Sequence, residues 1–386
     1  MLEKMFWFED AKTIQETEFT VDQCREYAEQ IRELFGTEWF NEQLKYPQAS
    51  WHPIISKWGQ IGVGSVLEFS TLYLDLKILE QSPGFQNLLD NLKDAKKYVA
   101  SIHEAHVGAF FKRGNVHGLA LGQDVRGKKP DIKFDIGGRD FFVECKTFEE
   151  SKVHGDFRDL TKRCCERISA MMNERNVFCA VRIEFMKPFF NVSMERVMQT
   201  VMDSLAGYSG EEIVRSDNDF SIRIFKTPVY AKNVEYKKAH MVHFISPIDP
   251  KEALRIRNTI SKASRQLPDD GNNMICLGLP HFAFVFLDQI ISTIVKREFK
   301  QGHSERIGAV LLNKRTISNI AGRFCHCDDL CLLENPNATN HISSEILHNV
   351  DPVGWIEILP QRTGVPFYEY AIMLFHAKLP ASGDKV

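Results

Sequence analysis

The chain has 386 residues, with 48 basic and 51 acidic side chains and a formal net charge of −3. Hydrophobic residues make up 44% and charged residues 26%, a globular composition that excludes disorder as a general description. The slight acidic excess excludes a uniformly cationic nucleic-acid coat protein, so any attraction to phosphate must be local. The length predicts two or three structural units, or one elaborated core.

The start of the sequence lacks the basic and apolar segments of a secretory signal, and no apolar stretch is long enough to span a bilayer. Nine cysteines spread over this length do not indicate a secreted disulfide framework. We therefore expect a cytoplasmic protein with reduced thiols and without a membrane partner.

Residues 1–90 are predicted to form an α-helical N-terminal domain. Thr20 begins a helix there, and Cys24, Tyr27 and Ile31 recur at helical spacing. Three tryptophans are expected to pack this domain together rather than to form a binding platform: Trp39, Trp51 and Trp58.

From residue 91 to residue 386 the pattern changes to alternating helices and strands, which predicts an α/β domain with a mixed sheet. One long helix is expected over 91–112, with Leu92 and Val99 in its buried stripe and Gly114 after its end. Further helices are predicted over 156–173, 194–205, 251–267 and 283–299. Strands are predicted over 117–121, 131–136, 139–147, 177–185, 220–225, 241–245, 274–279, 307–312 and 368–374.

The most informative segment is a hairpin with two glycines, Gly137 and Gly138, at its turn. A two-residue turn sets a register in which partner residue numbers sum to 275, so Asp131 falls opposite Glu144. A three-residue turn would shift the register by one and move Asp131 to the wrong face, so the prediction depends on this turn.

The two faces of the hairpin differ because side chains alternate along a strand. The inner face is apolar: Ile132, Phe134, Ile136, Phe141 and Val143. The other face carries most of the charge: Asp131, Lys133, Asp135, Phe142, Glu144 and Lys146. Paired carboxylates there are expected about 4.5–5.5 Å apart at Cβ, and their repulsion is relieved by a hard cation with oxygen ligands, such as magnesium or manganese.

This arrangement resembles the PD-(D/E)xK nuclease superfamily. The match is Pro130-Asp131 for the first half-motif and Glu144-Cys145-Lys146 for the second. Glu104, on the predicted helix 91–112, corresponds to the acidic residue that the family commonly carries on the preceding helix. The order of helix, short strand, hairpin, helix and strand follows the family's core as far as about Phe185.

The resemblance implies a restriction-endonuclease-like core with a mixed β-sheet flanked by helices, and metal-assisted hydrolysis of phosphodiester bonds. Asp131, Glu144 and the backbone carbonyl of Cys145 would hold Mg²⁺, with Mn²⁺ as a substitute, and Glu104 would contribute directly or through water. Such an ion polarises the phosphate and lowers the pKa of water. Lys146 would orient that water and stabilise the negative charge of the transition state.

Some members of the superfamily extend the site with a polar residue from a later helix. Lys162 lies on the predicted helix after the hairpin, and Lys262 and Gln266 are four residues apart on another. The strand predicted over 274–279 follows Lys262 and Gln266 and could lie beside the motif strand. With Lys129, beside the first half-motif, these three residues are candidates for substrate contact. The alternative is a solvated helix face.

Two other patterns resemble zinc sites but have the wrong spacing. The segment His103-Glu104-Ala105-His106 is one residue short of a zinc-peptidase motif. Cys325, Cys327 and Cys331, followed by His341, depart from the usual pairs of zinc ligands. Reduced thiols near a loop are favoured there, and zinc binding stays open.

The sequence thus favours a Mg²⁺-dependent endonuclease acting on nucleic acid, DNA rather than RNA, in restriction, anti-phage defence or repair. The alternative is a nucleic-acid-binding or regulatory assembly module on a nuclease-like fold with little or no hydrolysis. A homodimer, and a protein partner bound through residues 1–90, also stay open. Residues 1–50 carry 11 acidic and 5 basic residues, whereas residues 91–170 carry 12 acidic and 16 basic ones, so positive charge concentrates around the hairpin.

Overall fold

A computed structural model describes residues 11–59, 62–114, 116–148, 152–226, 239–247, 250–279, 287–302, 304–320, 322–343, 356–358 and 367–375. Its helices are α1 (Ala11–Gln15), α2 (Val21–Phe35), α3 (Thr37–Gln43), α4 (Pro53–Gly59), α5 (Val63–Leu79), α6 (Phe85–Leu92), α7 (Tyr98–Arg113), α8 (Lys152–Glu174), α9 (Met194–Ala206), α10 (Pro250–Ser264) and α11 (Leu287–Lys300). Its strands are β1 (His117–Leu121), β2 (Ile132–Ile136), β3 (Arg139–Thr147), β4 (Ala180–Phe185), β5 (Ile213–Ser216), β6 (Phe220–Phe225), β7 (Ala239–Pro247), β8 (Asn272–Leu279), β9 (Ala309–Ile320), β10 (Arg323–Glu334), β11 (Ile356–Ile358) and β12 (Phe367–Phe375). None of the described helices is long and apolar enough to cross a membrane.

The chain divides into two compact units. The first comprises Met1–Glu149, Arg257–Phe282 and Val295–Gln361, and the second comprises Glu150–Ile256, Ala283–Ile294 and Arg362–Val386. Helices α1–α7 and strands β1–β3 belong to the first unit, so the domain border expected at residue 90 lies inside a compact unit.

Each unit is built around a mixed sheet, which confirms the α/β class. In the first unit the strand order is β1-β2-β3-β8-β9-β10-β11, and β8 is parallel to both β3 and β9. In the second unit the order is β12-β7-β4-β6-β5, with β4 parallel to β7. The predicted strand 274–279, β8, thus lies beside the motif strand β3, whereas β4 belongs to the sheet of the second unit.

The core of the first unit joins its helices to the inner face of the hairpin. Phe134 stacks on Phe141 at 5.4 Å between ring centroids, and Phe111 of α7 lies 4.5 Å from Phe134. Burial of these apolar rings away from water is the main force that holds α7 against the sheet. Trp58 lies in the same core with Trp39 and Trp51 packed against it, so the structural interpretation of the tryptophans is confirmed.

The start of α2 agrees with the sequence. Thr20 is the N-cap residue, its side chain accepts the backbone N–H of Gln23, and the Gln23 side chain accepts the backbone N–H of Thr20. This capping box satisfies backbone donors that a helix start leaves free.

The long helix expected over 91–112 is wrong at its start. Leu92 ends α6, and α7 begins only at Tyr98. Between them the Asp94 side chain accepts the backbone N–H of Lys96 at 2.9 Å, a local turn that competes with helix. Val99 was expected in the buried stripe, but it is 56% exposed on the first turn of α7.

The segment with Cys325 and Cys327 forms strand β10, which the sequence did not predict and which ends at Glu334, just before the expected loop. This strand pairs with β9 over twelve residues, from Arg323 opposite Ile320 to Glu334 opposite Ala309. The predicted strands at 117–121, 220–225, 241–245 and 274–279 correspond to β1, β6, β7 and β8. The predicted helix 283–299 corresponds to α11, and its first residues, 283–286, lie outside the described residues.

Candidate active site

The hairpin has the register that its two glycines predict. Ile136 pairs with Arg139 and Ile132 pairs with Val143, so the partner numbers sum to 275. Gly137 and Gly138 both adopt left-handed backbone conformations, with φ of 60° and 80°. These positive angles are those of the two-residue turn that matches the twist of β-strands.

Asp131 lies just before β2 and contacts β3 through the backbone of Cys145. Its Oδ2 accepts the Cys145 N–H at 2.7 Å. This bond holds the half-buried Asp131 carboxylate beside Glu144, the preceding residue on β3. The two carboxylates are therefore neighbours across the hairpin.

Glu144 is completely buried, which is unusual for a carboxylate. Its Oε1 pairs with the ammonium of Lys146, and its Oε2 is buried without a hydrogen-bond partner among the described residues. Burial and the charge of Asp131 raise the pKa of Glu144 to about 7, against the opposing effect of Lys146. A buried acceptor without a partner costs free energy unless a cation or a proton satisfies it.

Glu104 of α7 lies close enough to Asp131 and Glu144 for their charges to affect its ionisation. Burial raises its pKa to about 8, and the charges of Asp131 and Glu144 act in the same direction, whereas Lys146 and Lys129 lower it. Burial also raises the pKa of Asp131 against the effects of Lys146 and the Cys145 N–H. Glu104, Asp131 and Glu144 thus form a carboxylate cluster. Their ionisation is opposed by burial and by one another, so the cluster favours a positive ion.

Lys146 has two partners, Glu144 and Gln266. Its Nζ donates to the Gln266 Oε1 at 3.1 Å, across a large separation in the sequence. Burial lowers the pKa of Lys146, but the charges of Glu144 and Asp131 outweigh that effect and raise it. The ammonium therefore stays charged at neutral pH and lies within the carboxylate cluster, paired with Glu144.

The loop before Asp131 is attached to the segment that follows α10. Lys128 Nζ donates to the backbone carbonyl of Arg265 at 3.0 Å, and Arg126 forms an ion pair with Asp270. These contacts place the loop near Gln266, and the charge of Lys129 in the same loop lowers the pKa of Glu104.

The sequence-predicted residues differ in how the structure places them. Glu104, Asp131, Glu144, Lys146 and Gln266 lie together in the first unit through the contacts given above. Lys129 and Lys262 belong to the same unit, and their side chains are exposed. Lys162 is exposed on α8 in the second unit.

The carboxylate cluster offers oxygen ligands, which a hard cation prefers. Among the described residues, no three His, Cys, Asp or Glu side chains converge closely enough to hold a metal ion alone. Mg²⁺, however, typically binds one or two carboxylates and keeps several waters. The orphaned Oε2 of Glu144, beside the Asp131 carboxylate, matches that smaller demand.

The Cys145 side chain lies on the apolar face and belongs to the core cluster. Burial raises the pKa of its thiol well above the usual value, so it is not a thiolate nucleophile. Only its backbone carbonyl is a candidate ligand. Cys325, Cys327, Cys331 and His341 are not part of a metal-binding group within the described part of the chain.

The structure contains a second ionic cluster that the sequence did not reveal. Asp75 of α5 is almost fully buried, and its Oδ2 lies 2.9 Å from the His106 Nδ1. His106 Nε2 lies 2.9 Å from Asp328, and Arg113 and Arg315 complete the ion pairs. The four elements involved are distant in the sequence, so local spacing carries no signal for this cluster.

Comparisons with protein-family models, curated proteins and solved structures give no match for this chain. The functional argument therefore rests on the geometry of the site.

Proposed function

We propose that the protein is a metal-dependent nuclease that hydrolyses phosphodiester bonds in nucleic acid, with DNA as the expected substrate. The observation that carries the proposal is the fully buried Glu144 carboxylate, with one orphaned oxygen and with Asp131 and Lys146 beside it. A chain keeps such a costly group when the site uses it. The proposed core is of the restriction-endonuclease-like type.

In this proposal Asp131, Glu144 and the backbone carbonyl of Cys145 hold Mg²⁺, with Glu104 contacting it directly or through water. The ion, when bound, polarises the phosphate and lowers the pKa of water. The protein's contribution is to fix the two carboxylates, since the Cys145 N–H holds Asp131 in place. Neutralisation of their mutual repulsion favours the ion over solvent.

Lys146 would stabilise the negative charge that develops on the phosphate and orient the attacking water. Its raised pKa keeps it protonated, so the positive charge is present before substrate binds. Gln266 and Glu144 accept two of its three N–H groups, which leaves one for the substrate. Gln266 is therefore a positioning residue for Lys146.

The positive charge near the carboxylate cluster is consistent with a nucleic-acid substrate. Lys129 and Lys262 are exposed in the same unit, and exposed lysines bind phosphates without reading bases. The 91–170 segment has four more basic than acidic residues. We include Lys162 only as an exposed lysine on α8.

A second candidate is a nucleic-acid-binding or regulatory assembly module that hydrolyses little or nothing. One observation favours it: Lys146 pairs with Glu144 and the Cys145 N–H with Asp131, so two of the four carboxylate oxygens already have partners. In that case Lys146 would neutralise the site permanently. Binding of DNA without cleavage at any metal concentration would favour this candidate.

The test is cleavage of plasmid, linear and single-stranded DNA, and of RNA, with Mg²⁺, Mn²⁺ or EDTA. We expect cleavage with either ion, none with EDTA, and none in Asp131→Ala or Lys146→Ala. The matched control is Asp140→Asn, which removes an exposed carboxylate from the same hairpin. Activity that survives Asp131→Ala and Lys146→Ala would refute the proposal.

A further inference from the structure

The first unit contains a cavity of about 210 Å³ that the proposed nuclease site does not use. It lies over three neighbouring parallel strands and is lined by the last residues of two of them, Thr147 of β3 and Leu279 of β8, and by Asn313 of β9. The carboxyl ends of parallel strands are the usual place for ligands in open α/β sheets. Asp131, Glu144 and Lys146 do not line this cavity.

Three residues form a row across the floor of the cavity. Thr147 pairs with Gly278, and Gly278 pairs with Asn313. Residues paired in this way project to the same face, and neighbouring strands are about 4.8 Å apart. The side chain of Asn313 therefore lies on the face of the sheet toward which a Cβ on Gly278 would point.

His103 of α7 covers Gly278 on that same face. A Cβ added to Gly278 would lie 2.7 Å from His103 Nδ1, so only glycine allows the ring to lie there. The His103 Nε2 lies 3.3 Å from the backbone carbonyl of Cys276. A carbonyl only accepts, so Nε2 carries the proton and Nδ1 of the neutral ring is an acceptor.

Two polar side chains are thus buried beside the cavity without partners. His103 is 8% exposed and Asn313 is 4% exposed. Within the described part of the chain, neither His103 Nδ1 nor the side-chain amide of Asn313 has a hydrogen-bond partner. Their polar atoms are accessible from the cavity rather than sealed from it, so a ligand with complementary groups can bond them there.

The other residues that line the cavity restrict the charge and polarity of a ligand. Tyr98, Phe148 and Leu279 supply apolar walls. The charged groups are already compensated, since Glu68 pairs with Lys57 at 2.7 Å and Arg315 pairs with acidic residues. A ligand with a net charge in the cavity would lack a counter-ion there, so the buried part of the ligand is uncharged.

The geometry points to a binding site for the adenine base. Asn313 Oδ1 and His103 Nδ1 are acceptors and the Asn313 amide NH2 is a donor, so they match a ligand edge with two donors and at least one acceptor. An amino group next to a ring nitrogen has that pattern, and an asparagine amide recognises adenine in this way. We propose that the amino group donates to Asn313 Oδ1 and His103 Nδ1, while a ring nitrogen accepts from Asn313 Nδ2.

The size of the cavity favours a purine over a pyrimidine. An apolar cavity of about 150 Å³ holds a benzene ring, so 210 Å³ accommodates a bicyclic base. The ligand is a free base or a nucleoside whose sugar lies outside the cavity. This inference does not depend on nuclease activity.

The test is calorimetric titration of the full chain, in EDTA and without nucleic acid, with adenine, adenosine, cytidine and purine riboside. Purine riboside lacks only the amino group of adenosine. We expect adenine and adenosine to bind, and purine riboside and cytidine to bind at least tenfold more weakly. This comparison uses the wild-type protein, so it does not depend on the folding of a variant. Absence of adenosine binding, or equal affinity for purine riboside, would overturn the inference.

Variants locate the site. Asn313→Leu is expected to weaken adenosine binding at least tenfold because it removes the amide, and Gly278→Ala because it displaces His103. The matched control is Lys146→Met, which changes the proposed nuclease site and is expected to leave adenosine binding unchanged. Wild-type affinity in a folded Asn313→Leu protein would show that adenosine binds elsewhere.

Discussion

One carboxylate oxygen of Asp131 accepts the backbone N–H of Cys145 at 2.7 Å. Cys145 lies between Glu144 and Lys146, the acidic and the basic residue of the second half-motif. The bond connects the start of β2 to β3 and leaves the other Asp131 oxygen for a ligand. Because this contact is made by an oxygen acceptor, it does not require the negative charge of the carboxylate. Structure and charge at this position can therefore be separated by substitution.

Asp131→Asn is expected to keep the fold and lose the activity. The asparagine oxygen still accepts the Cys145 N–H, but a neutral amide is a poor ligand for Mg²⁺. Cleavage in the assay above should fall by at least about 100-fold, as for loss of a metal ligand. Initial rates of plasmid nicking measure this, with the melting temperature as the check on folding. A folded Asp131→Asn protein with wild-type rates would exclude Asp131 as a ligand.

The turn at Gly137 and Gly138 allows a test of the register. Gly138 has φ of 80°, and a left-handed conformation costs an ordinary side chain about 1–2 kcal/mol. Gly138→Val should therefore lower the free energy of unfolding by at least about 1 kcal/mol in urea titrations, and reduce cleavage because Asp131 moves. Gly137→Asn is the control, since asparagine is favoured at the first position of this turn. Equal stability of both variants would contradict the turn.

The hairpin could be predicted from the sequence because everything that sets it is local. Two adjacent glycines and the alternation on either side fix which residues face each other, whereas Glu104 was identified from the resemblance to the nuclease superfamily. The pairing of β3 with β8 was only one option from the sequence, since β8 is more than a hundred residues away and the intervening β4 looks equally suitable as a strand. Local pattern cannot rank two strands that each satisfy it.

Other features were missed because their signal is weak or distant. Strand β10 alternates cysteine, histidine and aspartate, so its period is hidden, although Leu330 and Leu332 are buried. The break before α7 is set by one side chain, Asp94. The complete burial of Glu144 depends on how the sheet is covered, which no single segment determines.

The pKa values of Glu104 and Glu144 predict how the metal-free protein responds to pH. They are raised from 4.5 to about 8 and about 7, by burial first and then by neighbouring carboxylates. An acid with a higher pKa in the folded than in the unfolded state contributes stability that is complete below about pH 4.5. That stability is lost as the pH rises toward 8, because the unfolded state ionises more readily.

In EDTA the melting temperature should therefore decrease between pH 5 and pH 8, and Mg²⁺ should restore it more at pH 8 than at pH 5. Glu104→Gln should be more stable than the wild type at pH 8 in EDTA by about 1 kcal/mol or more, and should show a smaller pH dependence. Thermal unfolding across this range, with and without Mg²⁺, measures both effects. A pH dependence in Glu104→Gln equal to that of the wild type would contradict the assignment.

The buried cluster around Asp75 predicts a large loss of stability that is separate from the site. Burial raises the pKa of Asp75, but His106, Arg315 and Arg113 outweigh it and lower the pKa, so the carboxylate is charged in the fold. Asp75→Asn removes that charge and leaves cations buried without their partner, which typically costs about 3–5 kcal/mol. Urea unfolding at pH 7 measures the change. The control is Glu42→Gln, since Glu42 and its partner Lys45 are both more than half exposed and their ion pair should contribute nothing measurable. A small effect of Asp75→Asn, comparable to that of Glu42→Gln, would show that the cluster does not stabilise the first unit.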